Sequence, residues 1–269
     1  MDELYIELSV GEVALATVLI LVNGAISLTL RLKLERLLLL ASLRTVIQLW
    51  LIGIVLESVF SVDRWQVVLA LVLVMTLVAG IAAVRQTPRR YPGIFFNSIV
   101  SVWCSSWLIL AFAMGTVLGQ VSPWYHPQYL IPIAGMILGN SMNGISLGLS
   151  RFGDELVTHR DQVELLLSLG ATRWEAARAS VRKAVHTGMI PIINSMMVVG
   201  IVSLPGMMTG QLLAGIEPGQ AVRYQIIIMF LIASGTALGT VSVVLLSFRR
   251  LFNSRHQFCH DRLVDRKAR

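Results

Sequence analysis

Charge is what this sequence has least of. Only 14% of its 269 residues are Asp, Glu, Lys or Arg, while 55% are hydrophobic and mean hydropathy is +0.74. A soluble domain carries about a quarter charged residues, so a soluble core is excluded and an integral membrane protein is expected. Cysteine is scarce too. Cys104 lies in an apolar run and Cys259 near the C-terminus, which excludes a disulfide scaffold. There is no GxxxxGK[ST] phosphate loop, no GxSxG nucleophile elbow and no HExxH pair, so the common routes to ATP hydrolysis, acyl transfer and zinc proteolysis are missing from this chain. Carboxylates do not cluster inside the apolar runs either, which argues against a hard-cation site of the Asp/Glu kind. The isolated ionisable residues there are Glu12, Glu57 and Arg44, each near enough to a run's end to reach headgroups or water.

Long apolar runs are what the sequence has instead. About 20 residues cross the hydrocarbon layer as a helix, and seven such runs occur, near 8–30, 37–60, 66–86, 94–119, 128–150, 187–213 and 223–248. The first is expected to be a span and not a cleavable signal, since Asp2, Glu3 and Glu7 stand where a basic segment would. Arg and Lys at span ends favour the cytoplasm. Assigning one set of loops and the C-terminal tail to that side collects nineteen of them, against Arg64 and Arg223 opposite. The N-terminus is therefore expected outside and the C-terminus inside. The net charge of +7 is accounted for by anionic lipid at the membrane surface, with no nucleic acid required. Within the basic tail, 249–269, His256, Cys259, His260 and Asp261 are spaced unlike a common ligand set, and a solvated tail is expected.

One long cytoplasmic stretch, 151–186, divides at Gly170. Before it, Leu156, Val163, Leu166 and Leu167 share a helical face, with Asp154, Glu155, Arg160, Asp161 and Glu164 expected largely elsewhere. After it, Thr172 and Glu175 are spaced as a capping box, and Trp174, Ala177, Val181, Ala184 and Val185 form a second apolar stripe. Two amphipathic helices meeting at a glycine elbow are expected, either lying on the membrane surface or docking a cytoplasmic motor. Glu164 precedes Gly170 by six residues, which resembles the coupling loop of ABC importer permeases. Ser180 and Lys183 depart from that pattern.

The sixth run is interrupted by "SLPGMMTG", 203–210. Proline forfeits a backbone hydrogen bond, and lipid cannot replace it, so this stretch should face protein or a wet cavity. Asn140, Asn143 and Asn194 carry the same requirement. Gly135 and Gly139 form a small-xxx-small pair suited to close helix approach. Eight of the 11 methionines fall between residues 136 and 229. Thioethers ligate soft cations but also fill gaps in packing, and both readings stand. Met136, Met197, Met207 and Met208, with Pro205, are therefore expected to line a path or a helix interface, and Met207, Met208 and Glu57 are the candidate metal ligands.

"IPIAGMILGNSMNGISLGLSR" (131–151), "LLLSLGATRWEAA" (165–177), "IPIINSMMVVGIVSLPGMMTGQLLAG" (190–215) and "AVRYQIIIMFL" (221–231) together resemble the FetB (YbbM-like) family. "LRTVIQLWLIGIVL" in the second run, with Arg44 and Gln48, is similar as well. These are iron-export ABC permeases of bacteria, similar to plant aluminium-tolerance permeases. The resemblance implies an all-α permease domain of seven spans in the bacterial inner membrane, pairing as a homodimer. It implies a separate cytoplasmic ATPase that binds ATP and Mg, with no cofactor on this chain. It further implies export of iron, another metal or a chelate, and coupling through Glu164, Leu169, Gly170, Ala171, Thr172 and Trp174. The rival reading is a stand-alone channel or secondary transporter. That reading would be favoured by inverted internal repeats, and none stands out.

Overall fold

The computed structural model describes residues 9–62, 64–117, 119 and 122–265. Asp2, Glu3 and Glu7, and the terminal Arg266, Lys267 and Arg269, lie outside the described residues. The chain divides into two units, Met1–Arg64 and Trp65–Arg269.

The first unit is a helical hairpin of α1 (Val10–Thr29) and α2 (Glu35–Val62). Glu12 is not a group stranded in the membrane. It closes a capping box, accepting from the Ser9 backbone N–H at 2.7 Å while Ser9 caps the Glu12 N–H. At the other end the Ser27 hydroxyl, itself buried, donates to Glu35 at 3.0 Å and accepts from the Leu34 N–H. That pair closes a turn in which Arg31 and Lys33 take positive φ. Arg44, Gln48 and Glu57 all lie on exposed parts of α2.

The second unit holds α3 (Trp65–Arg85), α4 (Ile94–Phe112, continued by a π-turn to Val117), α5 (Pro127–Thr158), α6 (Arg160–Ser168), α7 (Arg173–Val198), α8 (Gly206–Leu213) and α9 (Pro218–Leu251). Proline at the first helical position opens α5 and α9. α5 is the central element, packed by α3, α4, α7 and α9. Small residues let the backbones meet. A methyl group on Gly188 of α7 would sit 2.6 Å from the Gly144 carbonyl of α5 and 2.6 Å from Thr240 of α9. Buried Ser98, Ser101, Ser105 and Ser106 give α4 a small polar seam, and Ser98 donates to the Gly80 carbonyl of α3 at 2.8 Å. The expected close approach at Gly135 and Gly139 is displaced, because Gly139 faces open space. The tight seam lies further along α5, at Gly144 and Gly148.

These contacts fix directions. Gly144 meets Gly188, and Gly148 meets the Ala184 carbonyl, so α7 runs antiparallel to α5. Gly235 packs on Ile137 while Gly148 packs on Val244, so α9 runs parallel to α5.

Among the described residues six helices are long and apolar enough to cross a membrane: α1 to α5 and α9. The sixth expected run, 187–213, is not one helix. α7 ends at Val198, Val199 is extended, Gly200 turns with φ +82°, and α8 restarts after Pro205. Proline at 205 lacks the donor that a continuous helix would need there. The stretch 151–186 differs from expectation too. α5, at 32 residues and a rise of 1.5 Å each about 48 Å long, outruns a hydrocarbon layer and continues to Thr158. Only the short α6 is separate, and α7 joins the second amphipathic segment to the sixth run.

The tail is mostly exposed, yet it is folded through Asp265. Arg249 and Arg250 belong to α9. Phe258 stacks on Phe252 at 5.1 Å, and Val264–Asp265 (β2) pairs antiparallel with Arg89–Arg90 (β1). His256, Cys259, His260 and Asp261 serve this fold, and no group of three metal-binding His, Cys, Asp or Glu side chains exists among the described residues.

Candidate translocation face and elbow

The elbow is built from its caps. Gly170 has φ +90° with open space around it, a conformation that costs any other residue strain. Thr172 caps α7: its hydroxyl accepts from the Glu175 N–H at 3.3 Å, and its own N–H donates to Glu175 Oε2 at 2.8 Å. These bonds, with His256 nearby, hold the Glu175 carboxyl below its ordinary pKa. Exposed Glu164 pairs with Arg160 at 2.7 Å, which raises the Arg160 pKa.

The elbow is braced from an unexpected side. The Arg173 N–H donates to His256 Nδ1 at 3.0 Å, and its guanidinium donates to the Asn253 carbonyl. Trp174 sits edge-on to Phe248 at 5.6 Å, so part of its surface is already used within the chain. Val163 and Leu156 are buried, whereas Leu165, Leu166 and Leu169 are left out, Leu169 being 76% exposed. Ala171 is half-buried beside them.

Above the elbow, Glu155 is buried rather than facing water as expected. Its carboxylate meets Arg151 at 2.6 Å and Lys183 of α7 at 3.1 Å, with His159 at 3.5 Å. Its neighbour Asp154 holds Arg89 of β1 at 2.9 Å. Spacing could have flagged Glu155, since Arg151 and His159 stand one turn either side, but Lys183 comes from another helix. Nearby Tyr91 is buried between Ser247 and Asn97, and burial raises its pKa.

From this ion cluster two stripes run antiparallel along the outer face of α5 and α7. Arg151, Leu147, Asn143, Asn140 and Met136 descend α5 in steps of three and four. Lys183, His186, Ile190, Asn194 and Met197 ascend α7 in the same way. Asn143, Asn194 and Met197 are exposed; Asn140 is half-buried and its amide donates to the Met136 carbonyl at 2.9 Å. The structure thus brings five expected path residues to one face. It does not bring Pro205, Met207 and Met208 there. Met208 is buried, Met207 and Pro205 are half-buried, and the Pro205 carbonyl is occupied by Thr209. Arg44, Gln48 and Glu57 belong to the other unit.

The family model for an uncharacterised protein family, UPF0014, matches residues 10–252. The chain belongs to that family. It is 42% identical over 215 residues to a UPF0014 membrane protein of Synechocystis, covering 80% of this chain and 82% of that one. It is 35% identical over 246 residues to the Escherichia coli protein named "Probable iron export permease protein FetB", covering 91% and 93%. It is 30% identical over 244 residues to the Arabidopsis thaliana protein ALUMINUM SENSITIVE 3, covering 91% and 88%. No solved structure matches. The chain is thus a multi-pass membrane protein of this family.

Proposed function

We propose that this chain is the membrane subunit of an ATP-driven exporter of iron, another metal or a metal chelate, working as a homodimer with a separate cytoplasmic ATPase in a bacterial inner membrane. The observation that carries the reading is the elbow: Leu165, Leu166 and Leu169 exposed together at the end of α6, beside a positive-φ glycine after which α7 starts as one 26-residue helix. An apolar knob on a stiff lever suits docking into a groove on a moving partner. A lever matters only if it reaches the path, and α7 carries Asn194 and Met197 at its far end. The homodimer reading is supported by Asn143, Asn194 and the open Gly139 on the outer face, because membrane amides need polar cover and glycine admits a close neighbour. The N-out, C-in orientation with seven crossings is supported by the charge bias and by α9 running parallel to α5.

Co-purification tests the reading. A phosphate-loop ATPase of the same genome should be recovered with the full chain, and Leu169→Asp should abolish that recovery while membrane insertion is unchanged. Undiminished recovery with Leu169→Asp would remove the elbow as the docking site. No ATPase recovered by either chain would favour a stand-alone transporter.

A further inference from the structure

At the basic end of the α5/α7 face lies a groove of about 510 Å³ lined by Arg151, Ala179, Arg182, Lys183, His186 and Thr187. Its charge is lopsided. Arg151 and Lys183 share one carboxylate, Glu155, which is itself buried behind them. Arg182 and His186 are exposed and have no ion-pair partner among the described residues. Three permanent cations thus face the groove against a single acid. Arg89 and Arg160, by contrast, each have a carboxylate of their own, Asp154 and Glu164.

The groove is continuous with the stripe bearing Asn143 and Asn194, and α7 carries it about 20 Å, from Lys183 to Met197, at 1.5 Å per residue. Beside a low-dielectric membrane such a cluster attracts anions and repels a bare dication. Guanidinium forks match carboxylate and phosphate oxygens in geometry as well as charge. No carboxylate cluster stands among the described residues to strip and hold a hard cation.

We propose that this groove is an anion-binding vestibule, so that cargo enters as a ligand with anionic oxygens, a metal held by carboxylates, and not as a free cation. Arg182 and Lys183 contact those oxygens, and His186 donates beside them. This inference rests on the transporter reading for the word cargo, but the binding itself does not need the ATPase.

The test therefore uses the full chain alone, in nanodiscs of zwitterionic phosphatidylcholine, with ferric citrate, citrate, inorganic phosphate and ferrous ion as probes. Ferric citrate should bind, weaken as salt is raised, and be displaced by citrate but not by ferrous ion. Arg182→Glu should weaken it about tenfold or more, the size of one lost charge-assisted contact; Arg182→Gln should weaken it less. Arg182 makes no hydrogen bond or ion pair among the described residues, so both variants should keep the wild-type melting temperature. Ferrous ion binding unaffected by Arg182→Glu would overturn the proposal. So would binding of anionic phosphatidylglycerol in exchanged nanodiscs with no binding of citrate or ferric citrate, which would make the groove a headgroup anchor. Failure to recover any ATPase in a separate pull-down would strike the ATP-driven reading and leave this binding result standing.

Discussion

Glu155 is the residue on which the basic end of the molecule is balanced. Its side chain is 6% exposed and is the only acid within reach of Arg151 and Lys183 among the described residues. Breaking a buried pair by removing one partner costs about 3–5 kcal/mol, because the remaining charge loses its compensation. Lys183 is half exposed, so solvent will take back part of that cost. Glu155→Ala is therefore expected to lower stability by about 2–3 kcal/mol, read as a drop in the unfolding midpoint of the full chain in detergent. Arg182→Gln, on the same groove but without a partner, should leave the midpoint unchanged. Gly188 is the second sensitive position. Gly188→Leu would drive a side chain into the Gly144 carbonyl and Thr240, and the α5–α7–α9 seam should open. Overpacking of this kind costs about 1–3 kcal/mol or more, and a protease-sensitivity assay at constant expression would register it.

At the scale of elements, α7 is the proposed lever, and its start is set by one capping box. Thr172→Ala should cost about 1 kcal/mol of local helix stability, seen as faster amide exchange in residues 173–176. The Glu175 carboxyl is held below its ordinary pKa by the same bonds. Its contribution is thus fully present above the usual carboxylate range and lost as pH falls through the lowered folded value. The protection of this turn, exchange taken relative to its intrinsic rate at each pH, should fall in acid, and Glu175→Gln should abolish that fall. Thr172, Gly170 and Glu175 were legible in the sequence because caps and positive-φ turns are local chemistry. Glu155 and the tail were not. The face that buries Glu155 is chosen by Lys183, 28 residues on, and the tail is held by pairing with Arg89 and Arg90 across most of the chain. The break at Pro205 was visible as a helix breaker and was expected on the path with Asn194 and Met197, but Met208 is buried whereas Asn194 and Met197 are exposed.

For the whole molecule, the direction of α9 relative to α5 supports the proposed crossing by residues 173–213. Hydropathy recognises six helices and passes over α7, whose first half carries Arg173, Arg178, Arg182 and Lys183. Yet α5 and α9 run parallel while α7 runs antiparallel between them in sequence. A chain that descends α5 can descend α9 only after climbing back, so residues 173–213 must return it to the side from which α5 began. If that segment stayed at one surface, α9 would have to start where α5 ends and run antiparallel to it. Single cysteines in a chain with Cys104→Ser and Cys259→Ser test this in intact cells. Trp124→Cys and Ile216→Cys should label together with an impermeant maleimide, and Leu165→Cys and Arg255→Cys should label only after lysis. Charge bias supplies the orientation, so outside labelling of Trp124→Cys and Ile216→Cys is the specific expectation. Inverted labelling would reverse the orientation but keep the crossing count. Labelling of Trp124→Cys and Ile216→Cys from opposite sides would show that α7 does not cross, and with it would go the lever from the elbow to Asn194.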